Sequence, residues 1–232
     1  MQIELLGARQ VPDLPAAIDL RCVDVCELLR GDECQRATLV IADPPWQYTQ
    51  APGHSADPSL HYTDLSDRAI VEILDQAFGA VGDRARLALW ATWPKLGQVE
   101  TAIRAGVFRW RYVSGGAWVK TGGNAGTGYH WLGASEPILL YTKGTRLCTE
   151  WGALKNAHVS ERRAHSEKPW EFMAGWLERW TKPGDLVVDL FAGLGPVAVA
   201  CLATGRDYLG AEIDPVRCEA ARLKIYRFSQ NV

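Results

Sequence analysis

The chain has 232 residues, a formal net charge of −2, 47% hydrophobic residues and 22% charged residues. These are ordinary globular values for one large α/β domain, and the near-neutral balance requires any nucleic-acid contact to rest on local basic clusters rather than on overall charge. No stretch approaches the roughly 18 apolar residues of a membrane helix, and "MQIELLGARQ" lacks the basic start and long apolar run of a secretory signal.

In chain order, "AIDLRCVDV" and "ATLVIAD" read as strands, joined by a short helix and turn in "CELLRGDE". The second strand runs straight into Asp43-Pro44-Pro45-Trp46. Proline fixes φ and donates no backbone hydrogen bond, and each residue before a proline is pushed to extended geometry. The segment is therefore a stiff exit from a strand, with a carboxylate and a Pro44 carbonyl expected to be free to accept hydrogen bonds. After a long polar loop at 49–61, "SDRAIVEILDQAFGAV" is an amphipathic helix: Ile70, Ile73, Leu74, Ala77, Phe78 and Val81 follow the helical period and Ser66 is its N-cap. "RLALWA" is a buried strand, and "PKLGQVETAIRAG" a helix with Pro94 near its start and Gly106 past its end. "WRYVSGGAWVK" and "EPILLYTKG" are strands flanking the glycine-rich "TGGNAGTGYHW". A second long polar loop covers about 144–167, before the helix "EKPWEFMAGWLERW". The strand "DLVVDLF", the helix "PVAVACLATG", the strand "DYLGAEI" and the helix "PVRCEAARLKIYRF" complete an alternation that predicts an open, mostly parallel twisted sheet with helices on both faces.

The stretch "VVDLFAGLGPVAVA" is a strand, a glycine turn and a helix. Asp189 ends the strand, Gly193 and Gly195 permit a tight turn and close backbone approach to a ligand, and Pro196 suits the first helical position. In nucleotide-binding α/β folds an acid about 20 residues after such a turn binds ribose hydroxyls, and Glu212 stands at that distance. The third glycine of the dinucleotide fingerprint is missing, and Asp189 would repel a pyrophosphate. An acid there matches a cationic ligand part such as an amino-acid ammonium, which points to S-adenosylmethionine rather than NAD or ATP. The six cysteines have no paired zinc spacing and read as reduced, mostly buried thiols. Ten tryptophans exceed what a core of this size usually needs.

With these motifs in hand the chain resembles the MT-A70-type adenine-N6 methyltransferases, within the β-class order of nucleic-acid amino-methyltransferases. The likeness runs from about residue 20 to 226 and rests on "ADPPW", "AWVK", "GTGYHWLGASEPILLYTKG", "HSEKPWEF", "VVDLFAGLG" and "LGAEIDP". It departs at Leu190, Leu194 and Pro196, where proline and small or hydroxylated residues are usual. The resemblance implies one Rossmann-like domain over 1–232: a catalytic half at about 18–145, a connecting loop at about 145–165 and a cofactor half at about 166–228. It implies Asp43, Pro44, Pro45 and Trp46 as catalytic residues, with the Asp43 carboxylate and Pro44 carbonyl accepting from the target amine and Trp46 stacking on the base. S-adenosyl-L-methionine would be held by Lys168, Asp189, Phe191, Gly193, Gly195, Glu212 and Ile213, with Asp43 adjoining. Tyr48, Lys120, His130, Trp131, Glu136, Arg162 and Arg163 are the implied substrate contacts, and no metal is implied. Trp118 reads as core, and histidines other than His130 as surface residues. The expected activity is methylation of adenine N6 in DNA by a cytoplasmic bacterial or phage enzyme, monomeric or homodimeric. RNA adenine and cytosine N4 are the alternatives in the same chemistry, and a catalytically silent nucleic-acid-binding subunit is the alternative outside it. For the groups to meet, the strand ending at Asp43 must lie beside the strand ending at Asp189.

Overall fold

The computed structural model describes residues 13–47, 64–105, 107–121, 134–144, 155–161 and 168–231. The strands are β1 Ile18–Arg21, β2 Ala37–Ala42, β3 Arg86–Trp90, β4 Arg111–Thr121, β5 Ser135–Thr142, β6 Ala157–Glu161, β7 Leu186–Asp189 and β8 Asp207–Ala211. They form one sheet in the order β1-β8-β7-β2-β3-β5-β4-β6. All ladders are parallel except those that β5 makes with β3 and β4. The expected α/β architecture is the one found.

The helices are α1 Val25–Leu28, α2 Asp67–Ala80, α3 Leu96–Arg104, α4 Trp170–Trp180, α5 Pro196–Thr204 and α6 Pro215–Ser229. They cover both faces. Val25 and Leu28 of α1, Ile70, Ile73, Leu74 and Ala77 of α2, and Val99 of α3 pack on one face with Val40, Leu87 and Leu89. On the other face Met173, Trp176 and Leu177 of α4, Val197 to Cys201 of α5, and Cys218, Ala221 and Ile225 of α6 pack against Leu39, Ile41 and Val187. Strands buried on both faces explain why "TLVIA" and "LVV" read as continuous apolar runs rather than alternations. The N-caps Asp24, Ser66 and Asp214 each accept from a backbone N–H of the first turn of α1, α2 and α6.

Among the described residues, five tryptophans are core: Trp46, Trp90, Trp110, Trp118 and Trp176. Trp90 lies 5.0 Å from Trp176, which stacks on Trp180 at 5.4 Å, and Trp118 meets Trp90 edge-on at 6.5 Å. Trp118 is buried, and its indole N–H donates to Ser160 Oγ at 2.8 Å.

Two expectations change here. The stretch at 144–167 is not all loop, because β6 lies within it and pairs in parallel with β4, Trp118 against His158 and Lys120 against Ser160. His158 is not a surface residue, since it is half-buried and stacks on Phe172 at 4.1 Å. Arg109, in the basic stretch before β4, is committed to Asp75 through a 2.6 Å hydrogen bond and a second contact to the Asp75 carbonyl at 3.0 Å.

Candidate active site

The site gathers where the carboxyl ends of β2 and β7 meet. The two strands are parallel neighbours, with Ile41 opposite Asp189. Asp43 therefore leaves the sheet beside the turn that follows Asp189, at the switch point where α/β sheets bind ligands. A cavity of about 790 Å³ opens there, and Asp43, Trp46, Glu136, Lys168, Asp189, Gly193 and Glu212 all line it. That volume is in the range of small-molecule and cofactor sites.

The proline segment is held on both sides. Leu65 N–H donates to the Pro45 carbonyl at 2.9 Å, and Gln47 N–H to the Leu65 carbonyl at 3.3 Å. The Pro44 carbonyl, expected to be free, accepts from Trp46 N–H at 2.9 Å, which leaves it one lone pair. Trp46 is likewise not an open platform. It is 5% exposed, and its indole N–H donates to the Trp90 carbonyl at 3.1 Å. Trp46 lines the cavity and at the same time belongs to the core cluster on the α1 and α2 face.

Charge at the site is arranged in a chain. Lys168 Nζ lies 2.7 Å from Asp43 Oδ2 and 3.3 Å from Glu136 Oε2. Lys120 Nζ lies 2.5 Å from Glu136 Oε1. Two lysines thus balance two carboxylates drawn from β2, β4, β5 and the start of α4. Burial raises the Asp43 carboxyl above its ordinary range, and Lys168 pulls it part of the way back. Glu136 is also penalised by burial, but Lys168 and Lys120 together hold it below the usual value. Lys168 is penalised by burial too, yet its two acids keep it firmly protonated. Placed at the cofactor by its motif, Lys168 has its ammonium on the Asp43 side of the cavity.

The glycine turn makes the other wall. Gly193 has φ 54°, and a Cβ built on it would meet nothing within 4 Å. It leaves an open cradle on the cavity side. Gly195, expected to let a ligand approach, makes room for α6: with φ 73° it precedes α5, and a Cβ there would press on Ile225 and Ala221 of α6 at 3.2 and 3.3 Å. Glu212 ties the turn together, accepting from Gly193 N–H at 2.8 Å and Asp214 N–H at 2.9 Å. Burial still raises its carboxyl above the ordinary range. Phe191 and Ile213 line the same side, Ile213 with 68% of its surface exposed.

Asp189 is 2% exposed and accepts from Tyr208 O–H at 3.1 Å and Phe191 N–H at 3.3 Å. Both donors are neutral, and burial pushes its carboxyl up to about 7. Among the described residues Asp189 makes no ion pair, so a cavity-lining acid is left without a cation. The open Gly193 cradle, this acid and Glu212 fit a ligand with a cationic amino-acid end and a ribose. No group of metal-ligating side chains is found among the described residues. Tyr48, His130, Trp131, Arg162 and Arg163 lie outside the described residues. The charge chain itself went unread in the sequence. Glu136, Lys120 and Lys168 stand apart along the chain, and only the antiparallel pairing of β4 with β5 brings the first two together, with Trp118 opposite Glu136.

A family model described as "DNA methylase", for N6 and N4 methyltransferases, matches residues 38–223. No curated protein sequence matches. Among solved structures, the fold is similar to the M1.HpyAVI–SAM complex, with TM-score 0.67 and 15% identity over 90% of this chain and 99% of that one. It is also similar to the putative DNA modification methylase TTHA0409 from Thermus thermophilus, complexed with S-adenosyl-L-methionine, with TM-score 0.63 and 19% identity over 92% and 97%. The cytosine-N4-specific PvuII DNA methyltransferase is similar at TM-score 0.66 and 12% identity over 93% and 94%. At such identities the structural likeness carries the fold, and the family model carries the assignment. With the model spanning most of the sequence and both site turns, the chain belongs to the N6/N4 DNA methylase family.

Proposed function

We propose that this protein transfers a methyl group from S-adenosyl-L-methionine to the exocyclic N6 amino group of adenine in DNA, as an enzyme of MT-A70 type. The observation that carries the reading is the shared cavity: Asp43 at the end of β2 and the Asp189–Gly193 turn at the end of β7 face one space. The intact Asp43-Pro44-Pro45-Trp46 motif, standing before the glycine turn in the chain, supports the adenine assignment.

Asp189, Gly193 and Glu212 would hold the cofactor, with Phe191 and Ile213 beside it. When bound, it supplies an electrophilic methyl carbon on a sulfonium. The remaining work belongs to the chain. An amine conjugated to an aromatic ring is a poor nucleophile because its lone pair is delocalised. Acceptors on its N–H groups draw the nitrogen toward tetrahedral geometry and localise that pair. Asp43 Oδ2 is engaged by Lys168, so Oδ1 is the oxygen that accepts from the amine. The Pro44 carbonyl offers its remaining lone pair as the second acceptor. Both groups are held before substrate arrives, which is preorganisation. As the N–C bond forms, the nitrogen gives up one proton, and Asp43 Oδ1 takes it and returns it to solvent. Trp46 closes the wall behind the base. The target must be unpaired or turned out of its helix to reach so enclosed a site.

A second reading, cytosine N4, is favoured by one observation: these acceptors serve any exocyclic amine, and the cytosine-N4-specific PvuII enzyme has a similar fold. Incubation with isotopically labelled methyl donor and DNA or RNA, followed by digestion to nucleosides, separates the readings. Label in N6-methyldeoxyadenosine is the expected result. Label in N4-methyldeoxycytidine or in RNA moves the assignment, and no label overturns it.

A further inference from the structure

Of the tryptophans among the described residues, Trp93 alone is exposed, with 55% of its surface open. It follows Thr92, a residue of the cavity wall, at the end of β3, and begins a short 3-10 turn, Trp93–Lys95. The ring is not loose. Its indole N–H donates to both the carbonyl and the hydroxyl of Ser135 at 3.1 Å each. Pro94 stiffens the next step of the chain. Lys95, buried, pins the turn to Asp67 through a 2.7 Å ion pair. Ser135 in turn precedes Glu136, a member of the charge chain.

The sheet order gives this ring a direction. The cofactor wall lies at β7 and β8, Asp43 follows at the end of β2, and Trp93 follows at the end of β3. With the cofactor on the β7 side, a polynucleotide reaches Asp43 from the β3 side, where Trp93 stands. An exposed indole whose N–H is already satisfied has only apolar π surface left to offer, which suits a nucleobase and offers nothing to a phosphate.

Resting on the methyl-transfer reading above, we infer that Trp93 is a base-stacking platform for a nucleotide of the substrate strand other than the target. It holds the strand at the mouth of the cavity while Trp46, buried and bonded to Trp90, serves only as wall.

The test is a cycle between protein and ligand. Wild type, Trp93→Ala and Trp93→Phe are titrated with a short mixed-sequence single-stranded deoxyoligonucleotide and with the same strand lacking all its bases. Trp93→Ala is expected to weaken binding to the intact strand by about tenfold, Trp93→Phe by less than about threefold, and neither to change affinity for the baseless strand by more than about twofold. Affinity for S-adenosyl-L-methionine is expected to stay at the wild-type value in both variants. Equal loss on intact and baseless strands, or no loss on either, overturns the proposal. Should Trp93→Ala unfold more readily than wild type, Trp93→Phe against Trp93→Leu makes the same comparison with smaller packing changes. A wild-type protein that binds the strand but methylates nothing overturns the proposed activity and leaves this comparison to be read on its own.

Discussion

Lys168 Nζ donates to Asp43 Oδ2 at 2.7 Å and, on its other side, faces Glu136 Oε2 at 3.3 Å. One ammonium therefore holds one oxygen of the Asp43 carboxylate, and in the proposed mechanism the other is the one that meets the substrate amine. Replacing it with methionine removes the charge that opposes burial, so the Asp43 carboxyl rises further above its ordinary range. The rising limb of the pH–rate profile for Lys168→Met is expected to move to higher pH, with activity at neutral pH down about tenfold or more. Lys168→Arg is expected to recover part of the shift. Stability is expected to fall by about 1–3 kcal/mol, measured by urea unfolding, because two carboxylates lose a shared partner.

Asp43→Ala is expected to reduce methyl transfer by about 100-fold or more while cofactor affinity stays within about twofold. Turnover by labelled-methyl incorporation and binding by calorimetry make the split. Retained turnover would remove Asp43 from the mechanism.

Asp189 yields a prediction with a definite sign. Its carboxyl is raised to about 7 in the folded protein, far above the ordinary aspartate value of about 3.9. Between those two values the native state holds a proton that the unfolded chain has released. The stability this group contributes is therefore full below about pH 3.9, falls as pH rises from there and is lost once pH passes about 7. Asp189→Asn is expected to flatten that slope in urea unfolding between about pH 4 and 7. Asp43 and Glu212 shift in the same direction, so part of the slope remains. A cationic ligand group favours the ionised acid. Affinity for S-adenosyl-L-methionine is expected to rise with pH through the same interval, and calorimetry on Asp189→Asn should show that rise diminished.

Glu212→Ala removes the acceptor for the Gly193 N–H of the glycine turn and for the Asp214 N–H ahead of α6. The loss in cofactor affinity is expected at about 1–3 kcal/mol by calorimetry. Glu212→Gln, which keeps an acceptor oxygen, is expected to lose less. Wild-type affinity in the alanine variant would take Glu212 out of the site.

The pairing of β2 with β7 was legible because the two motifs must meet for the expected chemistry, and Ile41 does sit opposite Asp189. Helix α2 was legible for the same reason: Ser66 caps it, and Ile70, Ile73, Leu74 and Ala77 face the core. Strand β6 was not. Its five residues alternate exposed and half-buried, and the only thing that makes them a strand is the distant ladder of β4. The fate of Trp46 was hidden likewise, since its partner is a carbonyl on β3. Gly195 looked like its neighbour Gly193, but what it accommodates is α6, over twenty residues later in the chain.

The reversed polarity of β5 bears on which changes in chain length the site can absorb. Glu136 enters from the beginning of a strand, where Asp43 and Asp189 come from strand ends, and its height is set by the rung it shares with Trp118. Residues added or lost ahead of that rung leave the acid where it is. Slippage of the rung itself by one place would put Ser135 or Pro137 opposite Trp118 and turn the carboxylate to the far side of the sheet. A change of chain length between β4 and β5 therefore leaves the acid in place so long as this single crosspiece keeps its alignment.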